Sequence, residues 1–275
     1  MHSWVGFAVT GTGRTLDLAG WVAEAGLAGA VVYLRPLGPN GAEATYDSGA
    51  TIYPASMIKV PLAVAVAAAE HAGRLRWNEP VAVTAANLTV NDAPSPTGTL
   101  GYISTPAELV ALMLAQSDNV ATNVLIELVG RERATADLAA LGFPGTQIHR
   151  KLSGALPLID DPEATGRNQH PAGDAAALFT RIAAHGVPGS ARILDALAKQ
   201  YWNTKLSAGL RPNDRFAHKT GDTDEVSHDG GILTLESGAR YVLVVYTTLP
   251  ASDDADRRFA TFMQRLRPHL ADGAA

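Results

Sequence analysis

Gly231-Ile232-Leu233-Thr234-Leu235-Glu236-Ser237-Gly238-Ala239-Arg240-Tyr241-Val242-Leu243-Val244-Val245-Tyr246 is the stretch whose reading decides the fold. Two runs rich in β-branched, aromatic and leucine residues flank a polar turn, which is the pattern of a β-hairpin. Beyond it, Phe259, Phe262, Met263 and Leu266 recur at helical spacing, the apolar face of a helix that packs on a sheet. Far upstream, residues 30–34 (Ala-Val-Val-Tyr-Leu) have the same strand character and run into a Pro- and Gly-rich turn over residues 36–41. Residues 43–48 can return as the second strand of that hairpin, and a helical stripe over residues 16–25 precedes it. A short strand is also expected over residues 216–220.

Between these ends the pattern is mostly helical. Thr105-Pro106-Ala107-Glu108 joins an N-cap, a first-turn proline and a capping-box glutamate. Further helices over residues 120–129, 132–140 and 172–185 meet Gly130, Gly142 and Gly186, and Ser190 opens another. Strands at both ends with helices between them imply that the terminal segments share one sheet. The expected fold class is therefore α+β. An antiparallel sheet flanked by N- and C-terminal helices takes residues 1–55 and 206–275, with an all-α subdomain, residues 56–205, inserted. The two form one structural unit.

Composition removes several function classes. Apolar residues make up 47% and charged residues 18% of 275, with a net charge of −5. That gives no footprint for nucleic acid. The apolar run over residues 60–69, interrupted by Pro61, is too short to span a bilayer, so no membrane segment is expected. Without cysteine there is no disulfide, thiol nucleophile or thiolate metal site. No metal-ligand spacing occurs either, so neither metal nor cofactor is expected. Met1-His2-Ser3-Trp4-Val5-Gly6 shows no basic segment followed by an apolar one, so no signal peptide is visible.

Three short polar signatures stand out in order: Ser56-Met57-Ile58-Lys59, Ser117-Asp118-Asn119 and Lys219-Thr220-Gly221. Ser-x-x-Lys alone reads as a helix cap with a solvated lysine, and arises by chance about once in a chain this long. With the other two, a chemical reading takes over. A serine hydroxyl needs a base, and Lys59 lies one helical turn beyond Ser56. To act as that base Lys59 has to be neutral, which burial and a nearby cation such as Lys219 promote. Ser, Asp and Asn also favour helix starts, and this structural reading is preferred for Asp118. His218 and the His228-Asp229 pair read as structural or as groups that tune the site.

Together the three signatures resemble the class A β-lactamase-like, penicillin-recognising serine hydrolases. The resemblance implies an active site at the junction of sheet and helices. Ser56 would form an acyl-enzyme, with Lys59, Ser117 and Lys219 handling protons and charge. Asn119, Thr220 and Gly221 would bind substrate, and the Asp222 N–H would join that of Ser56 in the oxyanion hole. The implied partners are small molecules, a β-lactam or a D-alanyl peptide or ester. A D-alanyl-D-alanine peptidase or esterase is the alternative, and a non-catalytic β-lactam-binding module a third. Relatives of this kind are usually extracytoplasmic.

One element of the resemblance is missing. Class A β-lactamases carry a water-activating glutamate, followed by Leu-Asn, in the loop that corresponds here to about residues 149–171. Their spacing from Ser117 lands near Ser153, Gly154 and Ala155, where no carboxylate stands. Asp160, Asp161 and Glu163 come later and read as surface residues. Arg167-Asn168-Gln169-His170-Pro171 resembles the loop's exit, so the missing glutamate is a real difference. Acylation is better supported than deacylation, which is expected to be slow.

Overall fold

The hairpin at residues 231–246 lies within a five-stranded antiparallel sheet in the computed structural model, which describes residues 16–38, 43–153 and 166–270. Along the chain come α1 (Leu18–Ala25), β1 (Val31–Pro36), β2 (Ala44–Asp47), a 3-10 turn (Ala55–Ile58), α2 (Lys59–His71), β3 (Val81–Ala82) and β4 (Ile103–Ser104). Helices α3 (Pro106–Ala115), α4 (Asn119–Val129), α5 (Arg131–Ala140), α6 (Ala172–Ala183) and α7 (Ser190–Leu197) follow. The chain ends with β5 (Arg215–Asp222), β6 (Ser227–Thr234), β7 (Arg240–Thr247) and α8 (Asp253–Leu266). The sheet order is β2-β1-β7-β6-β5. Val31 pairs with Tyr246 and Tyr33 with Val244, so the terminal segments do share one sheet. The expected turn over residues 36–41 runs outside the described residues.

The described residues form two compact units: those within Met1–Met57, Pro171–Ala184 and Trp202–Ala275, and those within Ile58–His170 and His185–Tyr201. The first unit holds the sheet. Alternation sends Val32, Leu34, Leu243 and Val245 to one face, where α1 and α8 add Val22, Phe259, Phe262 and Leu266. Each large apolar side chain buried there contributes roughly 1.5–3 kcal/mol. Helix α6 belongs to this unit, although its sequence position lies inside the stretch 56–205. It covers the opposite face, which explains why β7 is buried at every position except Arg240. At Gly173 in α6 an added Cβ would stand 3.2 Å from the Tyr33 hydroxyl, so any larger residue would have to push that side chain aside.

The second unit is built around α2. From Lys59 to Ala69 nearly every residue is buried, as expected of a helix surrounded on all sides. Pro61 is tolerated because it sits in the first turn, where no intrahelical N–H bond is lost. Helices α3, α4, α5 and α7 all pack on α2. Thr105 caps α3 as predicted, its hydroxyl accepting from the Glu108 N–H. Ser190 differs from expectation. Gly189 is the cap residue of α7, while the Ser190 hydroxyl donates to Val187 O at 2.6 Å. Among the described residues no helix is long and apolar enough to cross a membrane.

Candidate active site

Lys59 and the Ser117-Asp118-Asn119 signature lie together in the helical unit. The Lys59 Nζ is fully buried and donates to Ser117 O at 2.7 Å, Ser117 Oγ at 3.0 Å and Asn119 Oδ1 at 2.7 Å. All three of these groups are neutral. Lys59 is therefore not the solvated lysine of a simple helix cap. Ser117 has φ of +60°, a left-handed conformation uncommon for residues other than glycine, and this turns it between α3 and α4.

Asp118 is the structural residue the sequence suggested. It caps α4 by accepting from the Ala121 N–H at 2.7 Å, and its other oxygen accepts from the Thr97 hydroxyl at 2.6 Å and from Ser95. Asn119 opens α4, donates through Nδ2 to Val90 O at 2.8 Å, and its own N–H donates to Asn91 Oδ1. One turn later on the same face, Asn123 does similar work, and this residue was not foreseen. Its Oδ1 accepts from the Leu152 N–H at 2.7 Å and its Nδ2 donates to Leu152 O at 2.8 Å. Both backbone groups of Leu152 are thereby fixed one helical turn along α4 from the residue that holds Lys59. The available signal was Asn119-x-x-x-Asn123 in an otherwise apolar helix.

The loop beyond starts outside the described residues at position 154. Gly154, Ala155, Asp160, Asp161 and Glu163 all lie there. At its exit, Asn168 accepts from the His149 and Arg150 N–H groups and donates to Arg150 O.

Ser56 and the Lys219-Thr220-Gly221 signature belong to the sheet unit. Ser56 sits in the 3-10 turn that leads into α2, after Ala55 with φ of +46°. Two of the three described non-glycine residues with positive φ thus lie at or beside signature serines. Strand β5 runs on to Asp222, longer than the sequence suggested, and forms one edge of the sheet. Lys219 is fully buried and its Nζ donates to Thr220 O at 2.8 Å. A Cβ on Gly221 would stand 3.1 Å from Pro54 O and 3.2 Å from Ser56 N, so glycine lets the turn that carries Ser56 lie against β5. The Asp222 carboxylate accepts from Lys205 Nζ at 2.5 Å and Ser227 Oγ at 2.8 Å.

Both histidines that the sequence left open are buried and hydrogen-bonded. His218 Nδ1 meets Asp229 Oδ1 at 2.7 Å, while Asp229 Oδ2 accepts from the Leu206 N–H. His228 bridges Tyr53 O and the Thr247 N–H. Burial pushes His228 down to about 4 and His170 down to about 3. Because both folded values lie below the unfolded value of about 6.5, full stability is expected above that pH and is lost as pH falls towards 3. Each contributes roughly 3–5 kcal/mol to the loss. Thermal unfolding between pH 7 and pH 4 checks this, and His170→Gln is expected to flatten the decline.

A fold with this sheet and helical unit, carrying these three signatures, defines a β-lactamase-like serine hydrolase. The model of the β-lactamase enzyme family matches residues 17–266, and the chain belongs to that family. The structure of PBP-A is similar, with 25% identity over 92% of this chain and 93% of its own, at a TM-score of 0.77. A leucine-to-glutamate variant of PBP-A, solved as an acyl-enzyme complex with penicillin G, is 24% identical over 92% and 94%, at 0.75. An ancestral class A β-lactamase (GNCA) is 24% identical over 92% and 98%, at 0.77. No curated protein matches.

Proposed function

We propose that the protein is acylated at Ser56 by β-lactams and releases the acyl group slowly. Ser56, Lys219, Thr220, Gly221 and Asp222 come from the sheet unit, and Lys59, Ser117 and Asn119 from the helical unit. The observation that carries this reading is the buried Lys59 Nζ, three residues after Ser56, within hydrogen-bond reach of Ser117 Oγ and Asn119 Oδ1. Neutral Lys59 takes the Ser56 proton as Oγ attacks the carbonyl carbon and the C–N bond of the lactam breaks. The proton then passes through Ser117 Oγ to the leaving nitrogen. Lys219 and Thr220 attract the substrate carboxylate. The Ser56 N–H, lying against Gly221, and the Asp222 N–H receive the developing oxyanion, each donor worth about 3 kcal/mol. Asn119 keeps its second amide proton for the substrate, the first being used on Val90 O.

Slow release rests on Leu152. The backbone that Asn123 holds carries an isobutyl group, which cannot activate water. A PBP-A variant captured with penicillin G has a glutamate in place of a leucine. An apolar residue at position 152 also suits a D-alanyl-D-alanine peptidase or esterase, whose ester and peptide substrates share the acylation step. A chromogenic cephalosporin tests the main reading: a burst of one equivalent followed by slow turnover is expected. Fast turnover without a burst contradicts it. Faster sustained turnover of a D-alanyl ester than of the cephalosporin selects the second reading.

A further inference from the structure

One row of the sheet grips the turn that carries Ser56. Across three strands the register sets Gly221 opposite His228 and His228 opposite Tyr246. Residues directly opposite one another share a face, so this row presents a common surface. On that surface the missing side chain of Gly221 admits Pro54 O and Ser56 N. Beside it, His228 Nε2 lies 2.8 Å from Tyr53 O. Groups of residues 53, 54 and 56 are therefore all fixed against two neighbouring positions of the row, and the residue among them, Ala55, has the left-handed φ.

The imidazole is held in one protonation state and one orientation. A carbonyl only accepts, so Nε2 carries the proton towards Tyr53. A backbone N–H only donates, so Nδ1 is the bare acceptor for Thr247, at 3.2 Å. The Tyr246 ring stacks on it at 4.3 Å and 14° between planes, and the side chain is fully buried. The neighbouring Lys205 binds the His228 carbonyl, and its charge adds to burial in disfavouring a protonated ring, against a smaller opposing effect of Asp222. Burial keeps the ring neutral above about pH 4.

We propose that His228 is a positioning residue for the nucleophile: its Nε2–H, anchored by Thr247 and Tyr246, holds Tyr53 O and so fixes the strained turn that presents Ser56. The proposal rests on the reading of Ser56 as the acylated group. A nucleophile displaced by about 1 Å can lose about 100-fold in rate. The loss should fall on the chemical step, since both ring nitrogens of His228 are engaged with backbone groups.

Stopped-flow acylation by a penicillin, resolved into the dissociation constant of the first complex and the limiting acylation rate, tests this. Three variants are compared. Glutamine keeps an N–H at the reach of Nε2, asparagine is too short to reach Tyr53, and leucine has no donor. His228→Leu and His228→Asn are expected to lower the limiting rate by about 100-fold with the dissociation constant within about twofold, while His228→Gln recovers most of the rate. If His228→Leu fails to fold, the Gln and Asn pair carries the comparison. A glutamine variant no faster than asparagine, or a loss confined to the dissociation constant, overturns the role of His228 alone. A wild type that takes up no acyl group at Ser56 overturns the reading of Ser56 and the inference with it.

Discussion

Lys59→Ala is expected to slow acylation by at least about 100-fold, the usual scale for removing a general base. The buried amine has no substitute on the helix that bears it, because the residues around it on α2 are apolar. The variant also strands Ser117 O and Asn119 Oδ1 in the interior, which costs about 1–3 kcal/mol for each unsatisfied group. Thermal melts therefore accompany the kinetics, and the rate is taken on the folded fraction. An unchanged acylation rate would mean that another group removes the Ser56 proton. Lys59→Arg should not rescue, since a guanidinium stays protonated at any working pH.

Leu152→Glu is expected to act in the opposite direction and on the other half-reaction. Asn123 already holds the backbone at 152 through two hydrogen bonds, one helical turn along α4 from the Asn119 that binds Lys59. A carboxylate introduced there starts from a fixed backbone, so little further ordering is needed. A correctly placed base typically contributes about 10²- to 10⁴-fold to such a step, and release of the penicilloyl group should quicken within that range. Acylation should change by less than about tenfold, well below the scale of losing its own base. The check is the single-turnover decay of the acyl-enzyme. A decay no faster than wild type would show that water at the acyl carbonyl is reached from elsewhere.

The sheet was legible because its strands advertise themselves. Residues 241–246 and 30–34 are apolar and β-branched, and their pairing across the chain followed from the helices between them. Strand β5 was legible only in part. His218-Lys219-Thr220-Gly221-Asp222 has little strand propensity, and its extension to Asp222 comes from eight-residue pairing with β6. The place of α6 was hidden for a related reason. Its pattern marks a helix with one apolar face, but nothing local says that the face meets a sheet.

At the site, the three signatures were readable and the parts that hold them were not. Ala55 and Ser117 adopt positive φ with ordinary side chains, so no glycine or asparagine signalled the strain. Asn123 and His228 act through backbone groups of Leu152 and Tyr53, contacts that depend on tertiary register alone. Counting along the loop pointed to residues 153–155, whereas the clamp grips Leu152, one position earlier.

The central claim is that Ser56 takes up one β-lactam and keeps it. Intact mass measured over time after mixing with penicillin G tests it most directly, with the Ser56→Ala variant beside the wild type. The expected result is a rapid gain of one penicillin mass per chain that persists long after free drug is removed, mapped to the peptide containing Ser56, and no gain in Ser56→Ala. A gain that survives in Ser56→Ala, or a wild type that never carries the added mass, would contradict it.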